Sequence, residues 1–304
     1  MHDVSVVIPT FRRPHLVGKT ISSVAQQKNA LKLNLEIIVV DNCSERSAED
    51  VVCQMIAENE VPIRYVSEPR QNIALARNAG IDHSSAEFIA MIDDDERAAP
   101  DWLDQLVSTI HNYNADAVIG PTTPIFETKV PAWLDGNREL FERARNIPTG
   151  TELYGGSSAQ FLMRSATCFA NNNRFHPELG RSGGSDTDFF MRLSKRMGCK
   201  IVWCNEAKVE EFIPDNRLTI RYVMRRKFRN NQGLVWCSVR NSQHPIRTAA
   251  YLMLVIGCPQ ILVWIIPSVV TAPFRTAYSV RARANLMKGL GKLFWGKKFR
   301  FNFY

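Results

Sequence analysis

The first 110 residues alternate short apolar runs with segments of helical periodicity. Four runs are continuous and rich in β-branched or aromatic residues: VSVVI, LEIIVVD, PIRYVSE and EFIAMI. Between them lie PHLVGKTISSVAQQ, AEDVVCQMIAEN and IALARNAGIDHS, which have the spacing typical of amphipathic helices. This alternation predicts an α/β fold with a mostly parallel sheet and helices on both faces.

Polar residues follow three of these strands, at the point where each strand ends. They are Thr10, Phe11 and Arg12 after the first strand, Asp41 and Asn42 after the second, and Asp93, Asp94 and Asp95 after the fourth. Ligands of such sheets bind outside the carboxyl ends of the strands. We therefore expect the three groups to meet at one edge of the sheet.

The stretch FIAMIDDDE places three aspartates at the end of the fourth strand. If strand geometry continues, Asp93 and Asp95 point to one side and Asp94 to the other. Hard divalent cations prefer carboxylate oxygens, and Mg²⁺ takes one or two of them together with substrate phosphates. The alternative is a solvated acidic loop or a helix cap. Pro100 and Asp101 are better placed to start the following helix.

The net charge of +8 is distributed unevenly along the chain. Residues 1–215 carry 22 Lys and Arg against 30 Asp and Glu, whereas residues 216–304 carry 16 Lys and Arg and no acid. Residues 248–274 form an uncharged stretch of 27 residues, which is long enough for a bilayer core. A buried core helix is the alternative, and nucleic-acid binding is a second interpretation of the basic tail. We expect membrane association and no nucleic acid.

Basic residues flank this apolar segment on both sides, which disfavours a single crossing under the positive-inside rule. We therefore expect a segment that returns near Cys258-Pro259-Gln260 and keeps both flanks beside anionic lipids. The final stretch, RARANLMKGLGKLFWGKKFRF, has the composition of an interfacial amphipathic helix. Seven cysteines without C-x-x-C spacing, and no secretory signal, indicate a cytosolic catalytic region on the cytoplasmic face of the membrane.

Four blocks in the same order and spacing, VSVVIPTFRRPHL, EIIVVDNCSE, ALARNAGI and FIAMIDDDE, resemble the family 2 glycosyltransferases. The resemblance covers about residues 3–110 and returns at GGSDTDFFMRL, residues 183–193. It implies a Rossmann-like GT-A fold and a nucleotide-sugar donor. It also implies that Asp93 and Asp95 hold Mg²⁺ or Mn²⁺ on the donor diphosphate, with Asp94 close to the ribose or the sugar.

The resemblance also assigns the rest of the donor site. Pro9, Thr10, Phe11 and Arg12 would surround the nucleotide, and Asp41 or Asn42 would bond the base. Asn42 departs from a common form of the family, which has aspartate there, although an amide oxygen still accepts from the imide N–H of uracil. Arg77 would reach the diphosphate, or else serve as the partner of a carboxylate.

The distal block supplies a candidate general base. Inverting transfer to a hydroxyl is a direct displacement that needs one base and no protein nucleophile. Asp186 matches the base of the family, and Asp188 would orient it or the acceptor; the alternative for Asp186 is a helix N-cap. Glu211 lies where many relatives have a residue near the metal. Arg225, Arg226 and Arg229 would face either a lipid-linked diphosphate or bulk lipid phosphate.

The sequence thus predicts an inverting glycosyltransferase that uses Mg²⁺ or Mn²⁺ and a nucleotide-sugar donor, with UDP as the expected nucleotide. Its acceptor would be a lipid-linked saccharide of polysaccharide or envelope synthesis. We expect a catalytic domain at 1–215, with a nucleotide-binding half at 1–110 and an acceptor half at 111–215, and a membrane-associated region at 216–304. A nucleotidyltransferase and a catalytically inert membrane scaffold are the alternatives.

Overall fold

The computed structural model describes residues 2–144, 147–156 and 160–299. Strands within these ranges are β1 (Val4–Thr10), β2 (Leu35–Asp41), β3 (Ile63–Ser67), β4 (Phe88–Met91), β5 (Glu96–Ala98), β6 (Ala117–Ile119), β7 (Thr122–Phe126), β8 (Phe161–Arg164), β9 (Ile201–Trp203) and β10 (Val209–Ile213). Helices are α1 (Pro14–Ala25), α2 (Glu49–Glu58), α3 (Ile73–His83), α4 (Trp102–Asn112), α5 (Ala132–Asp135), α6 (Ser165–Cys168), α7 (Ser185–Arg196), α8 (Ile220–Arg240), α9 (Pro245–Ala250), α10 (Cys258–Val270) and α11 (Ala277–Leu293). Short 3₁₀ turns occupy Arg138–Leu140, Ala170–Asn172, Pro177–Leu179, Asp215–Arg217 and Lys297–Phe299.

The main sheet has the strand order β3-β2-β1-β4-β8-β6-β9. Strands β1 to β4 pair in parallel, and β8 runs antiparallel to both of its neighbours. Alternate residues of the central strands enter separate apolar clusters on the two faces, as Val6 and Val7 of β1 do. Continuous apolar runs are therefore explained by burial on both faces, and the predicted mostly parallel α/β sheet is confirmed.

Helix α3 packs closely on β1 and carries Arg77 to the edge of the sheet. Asn72 caps its N-terminus by accepting from the N–H groups of Ala74 and Leu75. Gly80 allows the close approach, because a Cβ at this position would lie 2.2 Å from Val7 Cγ1. The absence of a side chain at Gly80 thus sets the distance between helix and strand.

A second sheet, of order β5-β10-β7, lies beside the carboxyl end of β4. Strand β10 runs antiparallel to β5 and parallel to β7. Its register places Glu211 directly opposite Glu96. The small sheet therefore brings a distant acidic residue next to the aspartate triplet.

The last helices form layers on the outside of this core. Helix α8 packs on α7 and on α11, and α11 packs on α10. Residues Pro245–Val270 form a continuous helix, with π-helical geometry at Tyr251–Gly257, and by length and composition this helix could cross a membrane. The expected return at Cys258-Pro259-Gln260 is wrong, because the backbone stays helical at Gly257 and Cys258 and the helix continues past Pro259 to Val270.

Two other expectations about helices are corrected. Asp101 occupies the N-cap position of α4, but its side chain forms no capping hydrogen bond. Helix α11, expected at a membrane interface, is enclosed between α8 and α10 and buries Val280, Ala282 and Ala284. Residues 300–304 of the basic tail lie outside the described residues.

Candidate active site

A cavity of about 890 Å³ opens where the carboxyl ends of β1, β2 and β4 meet. Its walls come from these strand ends, the start of α7 and one side of α8. The predicted site residues that line it are Pro9, Thr10, Phe11, Asn42, Arg77, Asp93, Asp94, Asp95, Asp186, Glu211, Arg226 and Arg229. Segments far apart in the sequence are thus brought together, as expected from the strand exits.

The aspartate triplet lies in a turn after β4, which ends at Met91. The expected alternation of side chains therefore does not apply. Asp94 and Asp95 both contact Arg13 Nη1, each at 2.9 Å, and Asp94 also accepts from the Thr10 hydroxyl at 2.8 Å. The turn thus directs the carboxylates of Asp94 and Asp95 towards the same guanidinium group, that of Arg13.

Asp93 faces a different cation, Arg77. The Arg77 guanidinium is buried, lies 3.2 Å from Asp93 through Nη2, and contacts Asp186 through Nη1. Burial raises the pKa of Asp93 to about 7, with Arg77 opposing the rise and Asp95 adding to it. In this structure Arg77 therefore acts as the partner of two carboxylates and joins the candidate base to the triplet.

Glu96 and Glu211 form the second acidic layer, at the register position set by β5 and β10. Arg143 Nη2 lies 3.0 Å from Glu96 and 2.9 Å from Glu211, and Arg217 lies 3.8 Å from Glu211. Burial raises the pKa of Glu96 well above its usual range, and Asp93 adds to the rise. Glu96 also accepts from the backbone N–H of Asp93, which fixes the turn.

The acidic half of the cavity suits a hard divalent cation. Six carboxylates, of Asp93, Asp94, Asp95, Glu96, Asp186 and Glu211, share four guanidinium groups within the described residues. Glu211 Oε2 lacks an aligned hydrogen bond there, although Arg143 is near. Among the described residues, no group of three or more His, Cys, Asp or Glu side chains is arranged to hold a metal ion by itself. Mg²⁺ needs only one or two carboxylates from the protein, because substrate phosphates supply further ligands.

Asp186 is the second residue of α7, on the first helical turn. Gly183 and Gly184 precede the helix with φ of 82° and 96°, a backbone region that favours glycine, and Gly184 is the N-cap residue. The alternative of Asp186 as the N-cap is therefore wrong. The N-terminus of α7 directs its partial positive charge towards this carboxylate.

Asp188 lies in the interior, away from Asp186. Residues two apart on a helix point in different directions. Its carboxylate is fully buried and pairs with Arg192 at 2.9 Å and Asn241 at 3.0 Å. The expectation that Asp188 orients the base or the acceptor is corrected, and its contacts instead join α7 to the end of α8.

Helix α8 supplies a basic wall opposite the triplet. Arg226, Lys227 and Arg229 line the cavity, and Arg229 packs on Gly183 immediately before α7. Burial, together with Arg226 and Lys288, lowers the pKa of Lys227 to about 8. Arg225 is exposed on another side of the helix and is not among the described lining residues, so the helical periodicity excludes it from this wall.

Two residues that were predicted to bind the nucleotide-sugar donor do not line the cavity. The Asp41 carboxylate is fully buried and accepts from the N–H groups of Cys43 and Ala48, so it holds the loop after β2. Arg12 is exposed and pairs with Glu45 at 2.7 Å. A left-handed backbone at Arg12, with φ of 54°, turns the chain so that the next residue, Arg13, enters the cavity.

Asn42 does line the cavity, but its amide is already engaged. It donates to the carbonyls of Glu68 and Arg70 and accepts from Asn72 N–H at 2.7 Å. These bonds fix the loop that precedes α3. The amide oxygen retains a second lone pair for a ligand.

Sequence reasoning missed five basic residues that line the cavity: Arg13, Arg143, Arg181, Arg217 and Lys227. Arg13 follows Arg12 directly and Lys227 follows Arg226, so both could have been found by extending the quoted motifs. Arg143 and Arg217 lie outside the strands and α-helices, and no local pattern marks them. The predicted site contained more acidic than basic residues, and this imbalance could have indicated that further basic residues lie there.

The model of glycosyl transferase family 2 matches residues 5–169. The succinoglycan biosynthesis protein ExoM of Rhizobium meliloti is 34% identical over 229 residues, which cover 75% of this chain and 73% of that protein. A glucosyl-dolichyl phosphate glucuronosyltransferase of Haloferax volcanii is 26% identical over 245 residues, covering 74% of each chain.

Solved structures show the same fold. The mannosyltransferase PcManGT of Pyrobaculum calidifontis, in complex with GDP-Man and Mn²⁺, has a TM-score of 0.66 at 17% identity, covering 97% of this chain and 88% of that one. S. aureus TarS 1-349 in complex with UDP-GlcNAc has a TM-score of 0.56 at 16% identity, covering 95% and 89%. The predicted GT-A fold is confirmed. This chain belongs to glycosyl transferase family 2 and is a glycosyltransferase enzyme.

Proposed function

We propose that this enzyme is an inverting, metal-dependent glycosyltransferase that moves a sugar from a UDP-sugar to a lipid-linked saccharide in polysaccharide or envelope synthesis. The observation that carries the proposal is a cavity with an acidic half and a basic half. Asp93–Asp95 form the first half and Arg226–Arg229 the second. Asp186 links the halves, because it contacts Arg77 on one side and follows the Gly183 loop that Arg229 packs against.

The comparisons support several parts of this proposal. The name of ExoM refers to succinoglycan biosynthesis, which is consistent with polysaccharide assembly. The two structural neighbours were solved with nucleotide sugars, and one of them with Mn²⁺. The choice of UDP rests on Asn42, whose amide oxygen would accept from the uracil imide.

In the donor half, Asp93 and Asp95 would hold Mg²⁺ or Mn²⁺, with Glu211 beside them. When bound, the ion neutralises charge on the departing diphosphate. Arg13 and Arg77 position the carboxylates of the triplet before the donor enters. Phe11 and Pro9 form the apolar part of the wall at the end of β1 and would pack against the base.

Asp186 would accept the proton of the acceptor hydroxyl as that oxygen attacks the anomeric carbon. A single direct displacement inverts the configuration and requires only this base. The Arg77 contact holds the Asp186 carboxylate beside the triplet, which is where the donor sugar would end. The displaced nucleoside diphosphate remains on the acidic side of the cavity.

The basic half would bind the anionic part of the acceptor. Arg226, Lys227 and Arg229 lie on one side of α8, and a diphosphate between saccharide and lipid carries the complementary charge. Binding of an anion would offset the desolvation that lowers the pKa of Lys227. Residues 1–215, together with the side of α8 that lines the cavity, would then form the catalytic region on the cytoplasmic face, with the rest of 216–304 attached to anionic lipids.

The test is a screen of UDP-sugars and GDP-sugars with Mn²⁺, using full-length enzyme and membranes that contain lipid-linked saccharides. We expect release of a nucleoside diphosphate and a product of inverted anomeric configuration, with UDP-sugars as donors. Release of pyrophosphate would instead indicate nucleotidyl transfer. Tight Mn²⁺-dependent binding of a nucleoside diphosphate without turnover would indicate an inert scaffold.

A further inference from the structure

The outer side of the Pro245–Val270 helix exposes a continuous apolar surface. Leu262 is 73% exposed, Ile266 69%, Val269 66% and Leu254 63%. These residues recur at spacings that place them on one face of the helix. An exposed apolar surface of this extent indicates an interaction site.

The inner side of the same helix is tightly held by α11. The two helices approach at Gly257 and Gly289, where a Cβ on Gly289 would lie 2.8 Å from Ile261 Cγ1. Lys292 Nζ donates to Gln260 Oε1 at 2.8 Å across the same interface. The Pro245–Val270 helix therefore lies along α11 and presents only its other side to the surroundings.

Helix α11 is in turn fixed to the rest of the protein. Asn137 Nδ2 donates to Ala277 O at 2.8 Å, and Arg281 Nη2 donates to Gly136 O at 2.7 Å. At the other end, a Cβ on Gly291 would lie 2.3 Å from the Phe228 carbonyl oxygen of α8. The layers therefore run from the cavity through α8 and α11 to the exposed apolar surface.

Basic residues stand at both ends of this surface. Arg247 lies near its start and Arg275 just after its end, and both are exposed. Neither forms an ion pair with a carboxylate among the described residues, and residues 216–304 contain no acid. A surface with an apolar centre and a positive rim is complementary to an anionic lipid leaflet.

We propose that the Pro245–Val270 helix lies in the plane of one leaflet and does not span the bilayer. By length alone, its 26 residues could span. Insertion together with α11 would carry Arg281, Arg283, Lys288 and Lys292 into hydrocarbon, where each charge costs several kcal/mol. Insertion without α11 would break the Gly257–Gly289 and Lys292–Gln260 contacts.

This arrangement deepens the proposed membrane attachment and does not depend on the proposed reaction. Helix α8 lines the cavity on one side and packs on α11 on the other. The cavity would then lie about two helix layers above the leaflet, roughly 20 Å at the usual helix packing distance.

The test is the depth of spin labels in vesicles of phosphatidylcholine and phosphatidylglycerol. Full-length protein with Cys53 and Cys258 replaced by serine would carry Leu254→Cys, Leu262→Cys or Val269→Cys, one at a time. Collision with oxygen and with a water-soluble nickel chelate gives the depth of each label. We expect all three labels at the same depth, within about 5 Å, just below the headgroups.

A spanning helix would instead place the first and last labels about 22 Å apart in depth, from the rise of 1.5 Å per residue, and would overturn the proposal. Labels that contact no lipid but broaden one another's spectra would show that the surface joins two copies of the chain. That result would also overturn the proposal. Leu31→Cys, on an exposed apolar residue of the catalytic domain, is the control and should remain in water. Donor hydrolysis is measured separately, so a failure of the proposed reaction would not be confused with this result.

Discussion

Replacement of Arg77 by glutamine should destabilise the protein strongly, because one buried guanidinium holds two carboxylates. Arg77 is 4% exposed and lies 3.2 Å from Asp93, besides its contact with Asp186. At an effective dielectric constant of about 20, one such pair has a Coulomb energy of about 5 kcal/mol. Desolvation offsets part of this, and removal of one partner of a buried pair costs about 3–5 kcal/mol.

Urea unfolding of the full-length protein in detergent, without metal, would measure this loss. We expect Arg77→Gln to lower the free energy of unfolding by about 3–5 kcal/mol. Adding Asp93→Asn should recover about 1–3 kcal/mol by removing one unpaired charge. The control, Arg174→Gln, breaks an exposed pair with Asp82 and should cost less than about 1 kcal/mol. Equal losses for Arg77→Gln and Arg174→Gln would refute the reasoning.

Three further variants test other contacts. The pKa of Lys227 is lowered to about 8, so the unfolded state binds more protons between about pH 8 and 10.5, and wild-type stability should rise over that range by up to about 3 kcal/mol. Lys227→Met should remove the Lys227 part of this rise in pH-dependent denaturation and leave the contributions of Lys288 and Lys292, whose pKa values burial also lowers. Gly80→Ala should cost about 1–3 kcal/mol in the same assay by displacing Val7, and Val7→Ala should recover part of the loss. Asp95→Asn should raise the Mn²⁺ concentration for half-maximal transfer at least about tenfold, measured by titration.

The sequence predicted the parts of the fold that depend on local patterns. Continuous apolar runs identified β1, β2 and β4, because strands buried on both faces contain few polar residues. The turn after β4 was not predicted, since Asp94 and Asp95 take their directions from Arg13, which belongs to another segment. Glu211 faces Glu96 through the register of a small sheet, and no local pattern encodes that register.

The C-terminal region was less predictable because its arrangement depends on packing between helices. Pro259 and Pro267 indicated breaks, yet the helix continues through both. Helix α11 has an amphipathic composition, but close contacts at Gly289 and Gly291 place it between two other helices. Composition correctly indicated an apolar helix here, whereas its position on the surface of the protein required the structure.

The measurement that tests the proposed reaction most directly is the initial rate of sugar transfer by Asp186→Asn, with donor binding measured on the same protein. If Asp186 is the general base, the rate should fall by about 10²–10⁴-fold, while the dissociation constant of the donor changes by less than about threefold, or about 0.7 kcal/mol. Asp82→Asn, on an exposed carboxylate, should retain wild-type transfer. Full transfer by Asp186→Asn would contradict the account.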